Sequence, residues 1–260
     1  MTAMIRKLSV LTFAVALSGC LSLTAFPGVR HANLTTPDTE LHPARMALLV
    51  IDTQNDFANP KGSHPMPDLK AVVPQIEGVI KKFRQAGKLI VHVVRLYQPD
   101  GSDADRCVRW AIRHKGLRLV VPDTWGSQLL PETNPTAARL DAKALMEGRV
   151  QRLTENEFVC YKPRFNGFYD TSLHRFLRAR NIDSVVFVGI TFPNCVRATQ
   201  LGATDHDYRV AIVPSACTQV YPGGLEAMQG EGVQILTETE LDRYLPSDNS
   251  QLRCPQVPKP

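Results

Sequence analysis

Apolar residues in this chain gather into short unbroken runs, separated by segments in which they recur at helical spacing. Met46-Ala47-Leu48-Leu49-Val50-Ile51 is such a run and ends at the carboxylate of Asp52. An unbroken apolar run suits a strand buried on both faces of a parallel sheet. Ile76, Val79, Ile80 and Phe83 then share one helical face, with Pro74 suited to a first helical position and Gly87 to a stop. A second strand is expected over 88–95, and Ala104, Cys107, Val108, Ala111 and Ile112 again follow helical spacing. Residues 117–154 are less regular and carry Trp125, as expected of an excursion that caps a functional site. Regular pattern returns with a third strand at 158–162, a helix at 171–180 and a fourth strand at 184–190. A helix from Cys195 to His206 follows, then a fifth strand at 208–213, a short helix at 224–230 and a sixth strand at 233–236. Strands alternating with helices predict an α/β, three-layer Rossmann-like fold: a mostly parallel six-stranded sheet with helices on both faces.

Composition adds bounds rather than detail. The 260 residues are 43% hydrophobic and 21% charged, which fits one globular domain, expected over 44–246, with appendages. The formal charge of +5 falls to +3 without Arg6 and Lys7, and no Lys/Arg run is present to track phosphates, so no nucleic-acid partner is expected. Those two residues precede an apolar stretch, Leu8 to Leu17, that is too short to span a bilayer and reads as a signal-peptide core. Leu17-Ser18-Gly19-Cys20 resembles the lipobox of bacterial lipoproteins, in which the cysteine is lipidated and becomes the first mature residue. That resemblance implies a signal peptide over 1–19, export, a membrane anchor at Cys20 and a periplasm-facing protein; Leu21 in place of Asp leans toward the outer membrane. An ordinary cleaved signal peptide, or a cytoplasmic protein read from an upstream start codon, are the alternatives. Residues 20–43 read as a flexible tether and 247–260 as a loose, proline-rich tail. Of six cysteines, Cys107, Cys160, Cys217 and Cys254 could form disulfides in an oxidising periplasm, but their spacing fixes no pairing and matches no zinc pattern.

Chemistry concentrates where the pattern places strand ends. In an open parallel sheet, ligands bind beyond the carboxyl ends of the strands. Asp52 follows the first strand, Lys162 ends the third, and Cys195 follows the fourth at an expected helix start, where the helix field favours a thiolate. Each has an ordinary explanation alone: a turn cap, a solvated lysine, a small core thiol. Together at one sheet edge they form a nucleophile, a base and an electrostatic partner.

Three segments in order, Leu49-Val50-Ile51-Asp52-Thr53-Gln54-Asn55-Asp56-Phe57, Tyr161-Lys162-Pro163-Arg164-Phe165 and Gly189-Ile190-Thr191-Phe192-Pro193-Asn194-Cys195-Val196, resemble the isochorismatase-like cysteine hydrolases. That family includes nicotinamidase, N-carbamoylsarcosine amidase and biuret hydrolase, and the resemblance covers about residues 44–245. It implies a catalytic triad of Asp52, Lys162 and Cys195, an oxyanion hole from the backbone N–H groups of Thr191 and Cys195, and a cis peptide at Ile190–Thr191. Metal-dependent nicotinamidases carry an Asp-x-His pair after the second strand. Here that region reads Val94-Arg95-Leu96-Tyr97-Gln98-Pro99-Asp100-Gly101, so no metal and no other cofactor is expected. Arg95 is open to two readings: a two-pronged anchor for a substrate carboxylate or ureido oxygen, or a surface ion pair. Phe57, Phe165 and Phe168 are candidates for a substrate pocket or for the core. The resemblance implies a metal-independent hydrolysis of C–N bonds in a small amide, carbamoyl or ureido compound, with homo-oligomerisation a family expectation. A hydrolase of another ester-like bond, a lipid-anchored binding protein without turnover, a vinyl-ether hydrolase and a thiol redox protein using Cys160 are the competing readings. True isochorismatases lack the cysteine, which disfavours the vinyl-ether reaction.

Overall fold

The computed structural model describes residues 33–245. The signal and lipobox ending at Cys20, the first part of the expected tether, Cys254 and the tail lie outside the described residues. Among the described residues, seven strands form one sheet: β1 (Met46–Ile51), β2 (Leu89–Arg95), β3 (Gln151–Arg152), β4 (Glu157–Lys162), β5 (Ser184–Gly189), β6 (Arg209–Cys217) and β7 (Gln234–Ile235). Their spatial order is β3-β4-β2-β1-β5-β6-β7, and every pairing is parallel except that of β3 with β4. The expected six strands are thus present with one addition. Edge strand β3 has only two polar residues, Gln151 and Arg152, too few for a period to show.

The β1 run shows why the sheet needs cover on both sides. Alternate residues point to opposite faces, so Ala47, Leu49 and Ile51 join one apolar cluster while Met46, Leu48 and Val50 join another. The first is sealed by α5 (Leu173–Arg178), α6 (Arg197–Asp205) and α7 (Pro222–Gln229), through Leu173, Leu177, Ala203 and Met228. The second is sealed by α2 (Leu69–Gln85) and by Leu241 of the short α8 (Glu238–Asp242). Each fully buried Leu, Ile, Val or Phe contributes about 1.5–3 kcal/mol of transfer free energy, so these two layers carry the fold.

Several boundaries differ from those expected, for physical reasons. Helix α2 starts at Leu69, placing Pro74 inside it. Pro74 is exposed, so the carbonyl its missing N–H leaves unbonded lies on the solvent side. Helix α3 (Arg106–Lys115) begins after Ala104 and buries none of its residues fully. The described part of the expected tether is not loose. Leu41 is buried among β1 and α2 residues, the Leu34 N–H bonds to Gln229 O at 3.0 Å, and Gln234 Nε2 donates to Thr39 O at 2.7 Å. The excursion after residue 117 packs on the short α1 (Asn55–Ala58) that follows β1: the N–H groups of Asn55 and Asp56 bond to Gln128 O and Gly126 O, and Asp56 Oδ2 accepts from the Val120 N–H at 2.7 Å. Within it lies the short α4 (Ala142–Met146). Cys107, Cys160, Cys195 and Cys217 are all free thiols. No helix among the described residues is long and apolar enough to cross a membrane.

One buried polar network ties β4 to α2. Glu157 accepts from Arg84 Nε and Nη2 at 2.9 and 2.8 Å and meets His92 Nε2 at 2.7 Å. Burial opposes its charge, but the His92 and Arg84 contacts hold the carboxyl below its usual range. A carboxyl lowered in the folded state adds stability above its unfolded pKa and loses it as pH falls through the folded one. Thermal midpoints should therefore drop on acidification below about pH 4. The drop should be smaller in Glu157→Gln, which starts from a lower midpoint at neutral pH.

Candidate active site

Four adjacent strands, β4, β2, β1 and β5, deliver four reactive side chains at their carboxyl ends. In the same spatial order these are Lys162, Arg95, Asp52 and Cys195. All are buried: Lys162 is 0% exposed, Asp52 1%, Arg95 2% and Cys195 7%. Lys162 Nζ donates to Asp52 Oδ2 at 2.8 Å and to Arg164 O at 3.3 Å. Burial and the Arg95 charge lower the Lys162 pKa against the pull of Asp52 and Cys195. The Cys195 thiol faces the Asp52 carboxylate, whose buried Oδ1 accepts no hydrogen bond.

Cys195 reaches this position through a tight turn. Strand β5 ends at Gly189, the Ile190–Thr191 peptide is cis, and Phe192–Val196 form a π-helical turn that runs into α6. The helix thus begins after the cysteine rather than at it. The thiolate favoured by a helix start is also not what the surroundings impose: burial pushes the thiol pKa up, against the lowering influence of Arg95 and Lys162. The surroundings thus favour the protonated thiol, with the Asp52 carboxylate alongside it. Gly189 is indispensable to the turn. Its φ is +123°, and a Cβ there would lie 2.2 Å from Ile51 O in the neighbouring strand. Gly189→Ala should cost on the order of 3 kcal/mol, read as a lower urea midpoint, with loss of activity even where the variant remains folded.

Arg95 is not a surface ion pair. Its Nη2 donates to Cys195 Sγ at 3.0 Å, its Nε lies 3.3 Å from Asp52 Oδ2, and its Nη1 bonds to Tyr97 Oη and lies 3.7 Å from Asp105 Oδ2. The guanidinium also lies over the Phe165 ring, 4.6 Å from its centroid. Burial would lower its pKa, but the facing Cys195, Asp52 and Asp105 raise it, so it stays charged. Of the other aromatic candidates, Phe57 packs with Tyr97 and Ile190 beside the site. Phe168 lies against His206 and Tyr208, with centroids 5.4 and 5.5 Å apart.

Sequence reasoning missed three participants. Gln54, fully buried, holds the end of β2 by donating to Arg95 O at 2.7 Å and accepting from the Arg95 N–H at 2.8 Å. Tyr97 and Asp105 flank the guanidinium. The buried hydroxyls of Thr191 and Thr218 are unpartnered beside the turn, where the Phe192 N–H bonds to Thr218 O at 3.0 Å. A divalent-metal site of the kind found in some nicotinamidases does not fit these residues. A guanidinium occupies the end of β2, and among the described residues no group of three or more His, Cys, Asp or Glu converges. The redox reading loses its support: Cys160 is fully buried in β4, and burial pushes its thiol up to about 12.

Known proteins carry the same frame. An isochorismatase domain model matches residues 46–240. A probable inactive nicotinamidase from Arabidopsis thaliana is 30% identical, over 76% of this chain and 95% of its own length. Maleamate amidohydrolase from Pseudomonas putida is 31% identical over 64% of this chain and 69% of its own. A ureidoacrylate amidohydrolase from Methylorubrum extorquens is 30% identical over 77% and 82%. Among solved structures, an isochorismatase family protein from Desulfovibrio vulgaris superposes with a TM-score of 0.63 at 30% identity, covering 77% of this chain and 98% of that one. The matched span contains every strand and all four clustered side chains, and the chain belongs to the isochorismatase family.

Proposed function

We propose that this protein is a metal-independent cysteine amidohydrolase that cleaves a C–N bond in a small amide, carbamoyl or ureido compound through a thioester. The observation that carries the reading is the buried juxtaposition of a thiol, an unpartnered carboxylate oxygen and two cations at the carboxyl ends of adjacent strands. Asp52 Oδ1 takes the Sγ proton as the sulfur attacks the substrate carbonyl. The tetrahedral oxyanion is held by the N–H groups of Thr191 and Cys195. The intermediate collapses as Asp52 returns the proton to the departing nitrogen, releasing ammonia or an amine and leaving an acyl thioester. Asp52 then deprotonates a water, which attacks the thioester; the acid leaves and the thiol is restored. Lys162 donates to Asp52 Oδ2 at 2.8 Å and supplies the counter-charge of that carboxylate in a site closed to water. In this reading Phe57 and Phe165 line the substrate side, while Phe168 packs on His206 and Tyr208.

Two of the relatives named above act on maleamate and ureidoacrylate, both small carboxylates bearing an amide or ureido nitrogen, and this class heads the substrate panel. The Leu17–Cys20 lipobox supports placing the enzyme on a periplasm-facing membrane surface. The test is ammonia release from a panel of small amides and ureido acids, with Cys195→Ala as control. Turnover lost with the thiol supports the reading; turnover retained by the control rejects it.

A further inference from the structure

We propose that Arg95 is a fourth catalytic residue, receiving the negative charge of Cys195 Sγ, and that Asp105 positions it and balances its charge. This rests on the cysteine-hydrolase reading and gives Arg95 a role different from a substrate anchor. One edge of the guanidinium, Nε and Nη2, faces the two groups between which the proton moves. Nε lies 3.3 Å from Asp52 Oδ2 and Nη2 3.0 Å from Sγ. When the proton passes from sulfur to carboxylate, a negative charge moves the other way, from one nitrogen's partner to the other's. The cation need not move, so no reorganisation accompanies the transfer. A lysine ammonium presents a single point and cannot span both groups.

The opposite side of the guanidinium explains why it stays. Nη1 is bonded to Tyr97 Oη, Asp105 Oδ2 lies 3.7 Å away, and Phe165 covers one face. Asp105 is itself tied down, its Oδ1 accepting from the Phe165 N–H at 3.5 Å. The cluster therefore sets two buried cations, Arg95 and Lys162, against the buried Asp52 and the half-buried Asp105, around a neutral thiol. Balance is kept before and after the proton transfer. Removing either outer partner breaks it in opposite directions: without Arg95 the thiolate is disfavoured, and without Asp105 it is favoured.

The test is the pH profile of iodoacetamide alkylation of the full-length protein, read by mass spectrometry on the peptide containing Cys195, because Cys107 is exposed and reacts as well. Arg95→Met should slow Cys195 alkylation about tenfold or more near neutral pH and move the profile to higher pH. Asp105→Asn should move it to lower pH and speed alkylation, while Arg95→Lys should fall between Arg95→Met and the wild type. Opposite shifts support the proposal, because damage to packing has no reason to reverse sign. Unchanged profiles, or shifts in the same direction, overturn it. If Arg95→Met does not fold, Asp105→Asn and Arg95→Lys decide the matter by the same criteria. Ammonia release retained in Cys195→Ala would reject the cysteine-hydrolase reading itself; an inactive Cys195→Ala with unshifted profiles would reject only the role of Arg95.

Discussion

Lys162→Met is expected to lower stability by about 3–5 kcal/mol and to reduce turnover by at least about a thousandfold. Lys162 is completely buried, and its ammonium is the cation hydrogen-bonded to Asp52, at 2.8 Å. Methionine matches the length of the stem but leaves the Asp52 carboxylate in a site that is 1% exposed, facing only the more distant charge of Arg95 at 3.3 Å. An uncompensated buried charge is the costly outcome; a buried pair replaced as a whole costs much less. Two measurements separate the roles. Urea denaturation should show Asp52→Asn/Lys162→Met regaining much of the stability lost by Lys162→Met. Ammonia release should stay near background in both, since the single variant lacks the cation paired with the base and the double variant lacks the base as well. A Lys162→Met protein as stable as the wild type would mean that the pair is not electrostatically coupled.

Cys195→Ala is expected to cut turnover by at least about ten-thousandfold, the scale seen when a covalent nucleophile is removed, while changing stability by only about 1 kcal/mol. The substitution deletes one atom from a residue that is 7% exposed and takes one partner from Arg95 Nη2, which keeps its neighbours Tyr97 and Asp52 through Nη1 and Nε. Cys195→Ser should be nearly as inactive. A hydroxyl ionises far less readily than a thiol, and a single carboxylate base is too weak to make up the difference. The pairing of Lys162→Met, unstable and inactive, with Cys195→Ala, stable and inactive, separates the electrostatic support of the site from its reacting atom.

Much of this site could be read before any coordinates. A parallel sheet sends its chemistry to strand ends, and an apolar run such as Met46–Ile51 shows where a strand ends. Asp52 and Lys162 therefore announce themselves by position in the chain. The resemblance to the family then joined them to Cys195 and pointed to the cis Ile190–Thr191 peptide, which the structure shows. Less could be read where position alone does not decide direction. Arg95 was visible at a strand end, yet a side chain that long could equally point out to a substrate or in to the thiol. Asp105 directly precedes α3 and meets Arg95 beside Phe165, whose N–H bonds to Asp105 and whose ring lies against the guanidinium. The burial that raises the Cys195 pKa is a property of the packed site, invisible in a motif that places a cysteine near a helix start. Strand β3 and helix α8 were too short for periodicity, and Leu41 alone gave no sign that the segment before β1 packs against the domain.

The proposed mechanism stands on acylation of Cys195 during turnover. The direct measurement is acid quenching within the first turnovers on the best substrate of the amide and ureido panel, followed by mass analysis of the Cys195 peptide. A mass increase equal to the substrate acyl group is expected on that peptide, cleared by hydroxylamine and missing in Cys195→Ala. Steady ammonia release by Cys195→Ala, or acylation found on another residue and never on Cys195, would contradict it.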